Sequence, residues 1–224
     1  MTLIEEFNVE SKFKPKFGHM RVKQQHGLVL FLALIALVVM SLAAVALIRS
    51  VDTNTMIAGN LAFKQAATTS ADAGIEAAIT MLAGMRDSAA NAGKNVLTDA
   101  SHTFNITNTA TNPGYFSNAD PALNLTAAAT WDNVNDVLVG TDNSGNRIQY
   151  IVQRMCRNAN VAIQNADCLF SSPALDTNGQ QIPLPQNICN GPGCPTAGQT
   201  PQIRITARVT GPKNSVSYVQ AFVY

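Results

Sequence analysis

The sequence predicts an α+β protein. One long amino-terminal helix, apolar in its first half, packs in its second half on a mostly antiparallel β-sheet, and the carboxyl-terminal region bears disulfides. Three observations carry this. Leu28 to Ile48 is a run of 21 residues without a charge. Helical spacing of apolar residues continues past it to about Met85. Alternation of apolar and polar residues, interrupted at Ile151, then marks strands near residue 150 and at the tail.

Residues 1–27 carry Lys12, Lys14, Lys16, Arg21 and Lys23 against Glu5, Glu6 and Glu10, with no period that continues into the rest. They read as a leader rather than as fold. Their basic side chains favour the cytoplasmic side, with the carboxyl terminus translocated. As a helix, residues 28–48 rise about 32 Å, enough for a hydrocarbon core of about 30 Å. A discarded secretory signal has a shorter apolar core and a small-residue cleavage site after it. Here the core is long and continues without Pro or a turn cluster, so the segment reads as a retained span.

Residues 49–92 form the amphipathic half. Ile57, Leu61, Ala71, Ile75, Ile79 and Leu82 make a thin apolar stripe, and Lys64, Gln65, Asp72, Glu76 and Arg86 supply polar groups. Leu28 to Met85 as one helix would measure about 87 Å, of which only the first part fits in lipid. Gly59, Gly74 and Gly84 each cost about 1 kcal/mol relative to Ala and mark where the helix can bend or break.

Residues 93–224 form a globular, β-rich domain. Weak strand signals at 102–107 and 123–131 are separated by turn formers such as Asn112-Pro113-Gly114, and Asp142-Asn143-Ser144-Gly145 makes another turn. From Arg147 to Met155, Ile148, Tyr150 and Val152 alternate with Gln149, Ile151 and Gln153. Residues 156–200 hold all four cysteines and no long apolar run, a loop that needs a tie. The tail reads as a hairpin, 202–210 and 215–224 around Gly211-Pro212-Lys213-Asn214. Ile203, Ile205, Ala207 and Val209 lie on a buried face, and Arg204, Thr206 and Arg208 on a wet one.

Composition narrows the classes of function. The chain has a formal charge of +1 and only 13% charged residues, with no basic block, which argues against a nucleic-acid partner. Four cysteines in the part placed outside the membrane favour disulfides, and three pairings are open. We favour Cys156–Cys168 and Cys189–Cys194, the latter enclosing the turn-forming Asn190-Gly191-Pro192-Gly193. The rival, four thiolates on zinc, lacks closely spaced C-x-x-C pairs and suits a reducing compartment.

Asp132, Asp136 and Asp142 with Asn143 and Asn146 form an oxygen-rich run. However, Arg147 stands where a calcium loop needs Gly and Gln153 where it needs its closing Glu, so this run and Asp176-Thr177-Asn178-Gly179 read as turns. His19, His26 and His102 are the histidines, and no nucleophile, zincin or phosphate-loop motif accompanies them. We expect no active site, cofactor or metal, and we expect Trp131, Tyr218 and Phe222 to pack in the core.

The junction QQHG followed by LVLFLALIALVVMSL, continuing as RSVDTNTMIAGNLAFKQAATTSADAGIEAA, resembles the amino-terminal region of PilX-type minor pilins of type IV pili. The tail RITARVTGPKNSVSYVQAFV is similar to the end of that family. The likeness covers roughly residues 24–78 and 204–223. It implies a type IV pilin-like ladle and a leader cut by a prepilin peptidase after Gly27, with methylation of the new amino group of Leu28. Arg21 and Lys23 would anchor the leader at the inner leaflet.

The resemblance also implies the partners: other minor and major pilins, and the inner-membrane pilus assembly machinery. The chain would be a single-pass inner-membrane protein with its carboxyl terminus in the periplasm, later carried to a surface pilus that supports adhesion or twitching motility.

Two positions depart from the family. Leu32 stands at the fifth residue after the cut, where most pilins carry a Glu proposed to pair with a neighbour's terminal amine. An ionised carboxylate in mid-membrane costs about 2.5–3.5 kcal/mol, so a subunit keeps one only where a partner exists. Its absence suits a place at or near a fibre tip, or simply a better fit to lipid. Arg49 stands where pilins often carry a bending Pro; with Asp52 it has the spacing of an exposed i, i+3 pair. Alternative readings are a minor pseudopilin of a type II secretion system and a signal-anchored periplasmic enzyme.

Overall fold

The computed structural model describes residues 27–107, 109–110, 112–181, 189 and 191–224. The chain divides into two compact units, Met1–Asn54 and Thr55–Tyr224. Helix α1, Leu28–Arg86, is unbroken, so Gly59, Gly74 and Gly84 interrupt nothing. In the first unit its residues from Leu28 are exposed. An 18-residue window reaches a mean hydropathy of 3.1, and by length and composition the helix is able to cross a membrane.

In the second unit the buried residues of α1 are Ala67, Ala71, Gly74, Ala78, Leu82 and Met85. Their spacing of four, three, four, four and three keeps one face turned inward at 3.6 residues per turn. This differs from the stripe that the apolar residues alone suggest, because Ile57, Leu61 and Ile79 are exposed. Small side chains, rather than large ones, make most of the contact. The helix stops at Arg86, and Ala89–Asn91 follows as a 3-10 turn whose Ala90 N–H donates to Ser88 Oγ.

The sheet has five strands: β1 Tyr115–Phe116, β2 Val137–Thr141, β3 Arg147–Arg154, β4 Ile203–Thr210 and β5 Val216–Val223. It is mixed. β3 pairs antiparallel with β4, as β4 does with β5 and β2 with β3, while β1 runs parallel to β3. β2 and β1 share one edge of β3, β2 against Arg147 to Tyr150 and β1 against Val152 and Gln153. A short helix, α2 Ile163–Ala166, lies between β3 and β4.

One face of the sheet meets α1. Ala78, Leu82 and Met85 pack with Tyr115, Tyr150, Val152 and Ile205, and Ala67 and Ala71 pack with Ile148, Ala207 and Val209. The other face is also partly covered: Phe116, Trp131 and Ile151 form a second cluster there, with Leu123 and Leu125 against it. The whole of β3 beyond Arg147 is therefore buried, including Gln149 and Gln153 at 1% exposure, and Thr206 is buried too. The wet face expected of β4 is thus dry at its centre.

The segments 102–107 and 123–131 are not strands. Thr103–Asn105 and Ala128–Thr130 are 3-10 turns. Local polar side chains take the backbone out of any ladder: Phe104 N–H donates to His102 Nδ1, and Thr126 N–H to Asn124 Oδ1. Of the three aromatic residues expected in the core, Trp131 is buried, but Tyr218 and Phe222 are exposed on β5.

Candidate functional site

Gly27 and Leu28 lie at the start of α1. Gly27 is an exposed turn residue and the first helical residue, Leu28, is exposed as well. A side chain at residue 27 would meet nothing within 4 Å. The Gly27 carbonyl accepts from Phe31 N–H at 3.5 Å, so the N–H groups before it belong to the unpartnered first turn. That turn contains no acidic residue, which leaves the positive end of the helix dipole without a carboxylate of its own. Leu32, one turn on, is exposed.

Arg21 and Lys23 lie outside the described residues. Arg49 and Asp52 form no ion pair, and Thr53 Oγ donates back to the Arg49 carbonyl at 2.9 Å instead.

The cysteines are joined as Cys156–Cys168 and Cys189–Cys194. Cys156 follows β3 by two residues and is buried. Around it, Leu169 N–H donates to the Met155 carbonyl at 2.8 Å and Met155 N–H to the Gln202 carbonyl at 2.8 Å. The disulfide thus ties the loop after β3 to the segment after α2, and the hydrogen bonds of Met155 and Leu169 with Gln202 join both to the chain entering β4.

The carboxylates of the oxygen-rich run are turned to backbone donors. Asp142 Oδ1 accepts from the N–H groups of Ser144 and Asn146, each at 2.8 Å, while Oδ2 accepts from Asn146 Nδ2 and from Ser70 Oγ on α1. These hydrogen bonds, Ser70 foremost, hold its carboxyl well below the usual range, at about 2. A cation would have to displace four donors.

Asp136 accepts from Asn133 N–H and from Gln149 Nε2, and Asp176 from the N–H groups of Asn178 and Gln180. Among the described residues no three His, Cys, Asp or Glu side chains gather as a metal site. His102 is buried against Phe104, their rings stacked at 5.8 Å, and burial lowers its pKa.

Sequence reasoning passed over Arg154, the last residue of β3, which is 1% exposed. Its Nε donates to the Ser117 carbonyl at 2.9 Å, Nη1 to Asn105 Oδ1 and Nη2 to the Val161 carbonyl at 3.3 Å. Asn105 in turn donates to the carbonyls of Val96 and Asp99. One guanidinium fork therefore fixes three loops; its position continues the inward face of Ile148, Tyr150 and Val152, but its charge reads as the end of the strand.

Beside this knot, an apolar groove of about 500 Å³ opens between Ile79, Leu82, Phe104, Ile163, Ile203 and Val223. Arg86, Arg154, Thr200 and Tyr224 supply its polar lining. No family model, curated protein or solved structure matches the chain.

Proposed function

We propose that the chain is a minor pilin of the PilX type, which helps to initiate or assemble type IV pili. The observation that carries this is the junction itself: Gly27 directly precedes an uncharged helical run that begins at Leu28 and continues as helix into a globular α+β unit. In this reading a prepilin peptidase cleaves after Gly27, which places no side chain at the scissile bond, and Leu28 receives the methyl group. Residues 28–48 hold the subunit in the inner membrane until assembly, then pack against the equivalent helices of other pilins.

With Leu32 in place of a carboxylate, the subunit offers an amine to a neighbour and no acid in return, which suits a position at or near the fibre tip. The inner-membrane machinery would supply the work of extraction.

Mass spectrometry of the amino terminus tests the proposal. The expected species begins at methylated Leu28; an intact residue 1–27 segment would instead favour a signal-anchored periplasmic enzyme. Leu32 favours one second reading, a minor pseudopilin of a type II secretion system, which can also lack the glutamate. Deletion of the gene separates the two, since a pilin loses piliation and a pseudopilin loses protein secretion. Leu32→Glu tests the tip placement, which is overturned by unchanged formation of the priming complex with the other minor pilins.

A further inference from the structure

The two edges of the sheet are built differently. On one, β1 has two residues, and β2 has five with a register shift between Leu138 and Gly140, where Gly140 sits at φ +150°. Short strands and bulges are what proteins use to stop a second chain from pairing. The other edge has no such device. β5 pairs with β4 over all eight residues, Val216 to Val223, without a shift. VSYVQAFV contains no charge and no Pro. Among the described residues, no backbone hydrogen bond reaches β5 from outside β4. Val216, Tyr218 and Phe222 all stand exposed on the face of β5 turned away from α1.

We propose that this edge pairs with β5 of a second copy, antiparallel and about a two-fold axis perpendicular to the sheet. The pairing is independent of the pilin reading. An isologous contact brings each residue against its own strand, and β5 suits this because it sets no like charges opposite each other.

Such an axis keeps outer faces together, so the numbers of facing residues have an even sum. Centring it on Gln220 sets the two Gln220 amides side by side and places Tyr218 opposite Phe222 of the second copy, twice. Val219 then faces Ala221 on the helix side. Aromatic cross-strand pairs of this kind stabilise sheets, and no other centre on β5 forms both of them. A basic surface is a poorer occupant, since the strand offers no acidic group, and so is a lipid core, in which the free N–H and C=O groups of the edge would find no partner.

The test uses the full chain in detergent, where the native cysteines are already joined and an added one is the free thiol. Gln220→Cys is expected to give a disulfide-linked dimer under mild oxidation. Val216→Cys, on the same face of the same strand, would lie about 27 Å from its counterpart at the strand rise and is expected to give none. Equal cross-linking of the two, or of neither, overturns the pairing.

Light scattering adds an arm free of cysteine chemistry. The wild type is expected to have twice the protein mass of a Tyr218→Lys, Phe222→Lys variant whose circular dichroism is unchanged. A wild type that is monomeric, or a lysine variant that remains dimeric, overturns the proposal, the latter assigning association to the helix.

Discussion

A methyl group on Gly74 would lie 3.1 Å from Ala207 Cβ and 3.1 Å from Ile148 Cγ2. Helix α1 therefore meets β3 and β4 at a distance where even a methyl group requires its neighbours to give by a few tenths of an ångström, and the alanines on either side, Ala71 and Ala78, are 0% exposed. The helical cost of this glycine is offset by close packing across the core.

Gly74→Val is expected to destabilise the protein by about 1–3 kcal/mol, because overpacking forces the helix off the sheet. Gly84, on the same helix, is the control, since a methyl group there would meet nothing within 4 Å. Gly84→Ala is expected to stabilise by about 0.5–1 kcal/mol through helix propensity. Thermal unfolding followed by circular dichroism measures both; equal effects of the two substitutions would remove the close-packing account.

Arg154→Met should cost about 3 kcal/mol, since it leaves the Ser117 and Val161 carbonyls and Asn105 Oδ1 without their donor in a buried setting. Arg154→Lys should recover little of this, because an ammonium does not reproduce the planar fork. Denaturant unfolding of the three proteins checks the order, with wild type most stable and Lys close to Met.

Asp142 predicts an acid response of known sign. Its folded pKa, about 2, lies below the ordinary carboxylate value near 3.8. The stability it contributes is complete above the unfolded pKa and is lost as pH falls through the folded one. Melting temperatures measured from pH 5 down to pH 2 should fall, and Asp142→Asn should make that fall shallower. An equally steep fall in the variant would show that other carboxylates carry it.

The two disulfides should differ in weight. Cys156–Cys168 closes a loop with a sequence separation of 12, and Cys189–Cys194 one of 5. Removing the first pair with serines should cost about 2–4 kcal/mol, and removing the second should cost less, because a shorter loop restricts the unfolded chain less. Chemical denaturation of the two double variants under oxidising conditions decides this.

Periodicity made the long helix, β3 and the β4–β5 hairpin legible, because each holds its pattern for eight residues or more. β1 has only two residues, and its partner, Val152, lies far along the chain, so no local pattern announces it. The burial of Gln149, Gln153 and Arg154 was equally hidden. Their polarity signals solvent, yet Trp131 and Phe116 lie over the face of Gln149 and Gln153, the amide of Gln149 is used by Asp136 and Arg208, and Arg154, on the opposite face, is held by Ser117, Asn105 and Val161. On α1 the large residues drew attention to Ile57, Leu61 and Ile79, whereas the docking face is marked by Ala and Gly, which hydropathy weighs lightly. At the candidate site, Gly27, Leu28 and Leu32 were legible as a motif. Arg154 was not, because its role depends on three loops that meet only in the folded chain.

Arg154 and Asp142 also set how the second unit comes apart. Every acceptor of Arg154 is uncharged, a carbonyl or an amide oxygen, and a guanidinium does not titrate. That fastening contains no carboxylate for acid to protonate. The clasp between Asp142 and Ser70 lets go in acid. Acid should therefore act on the second unit at two corners: through Asp142 where the β2–β3 turn touches α1, and, at the far end of β3, through His102, whose buried imidazole must take up a proton among the loops that Arg154 gathers.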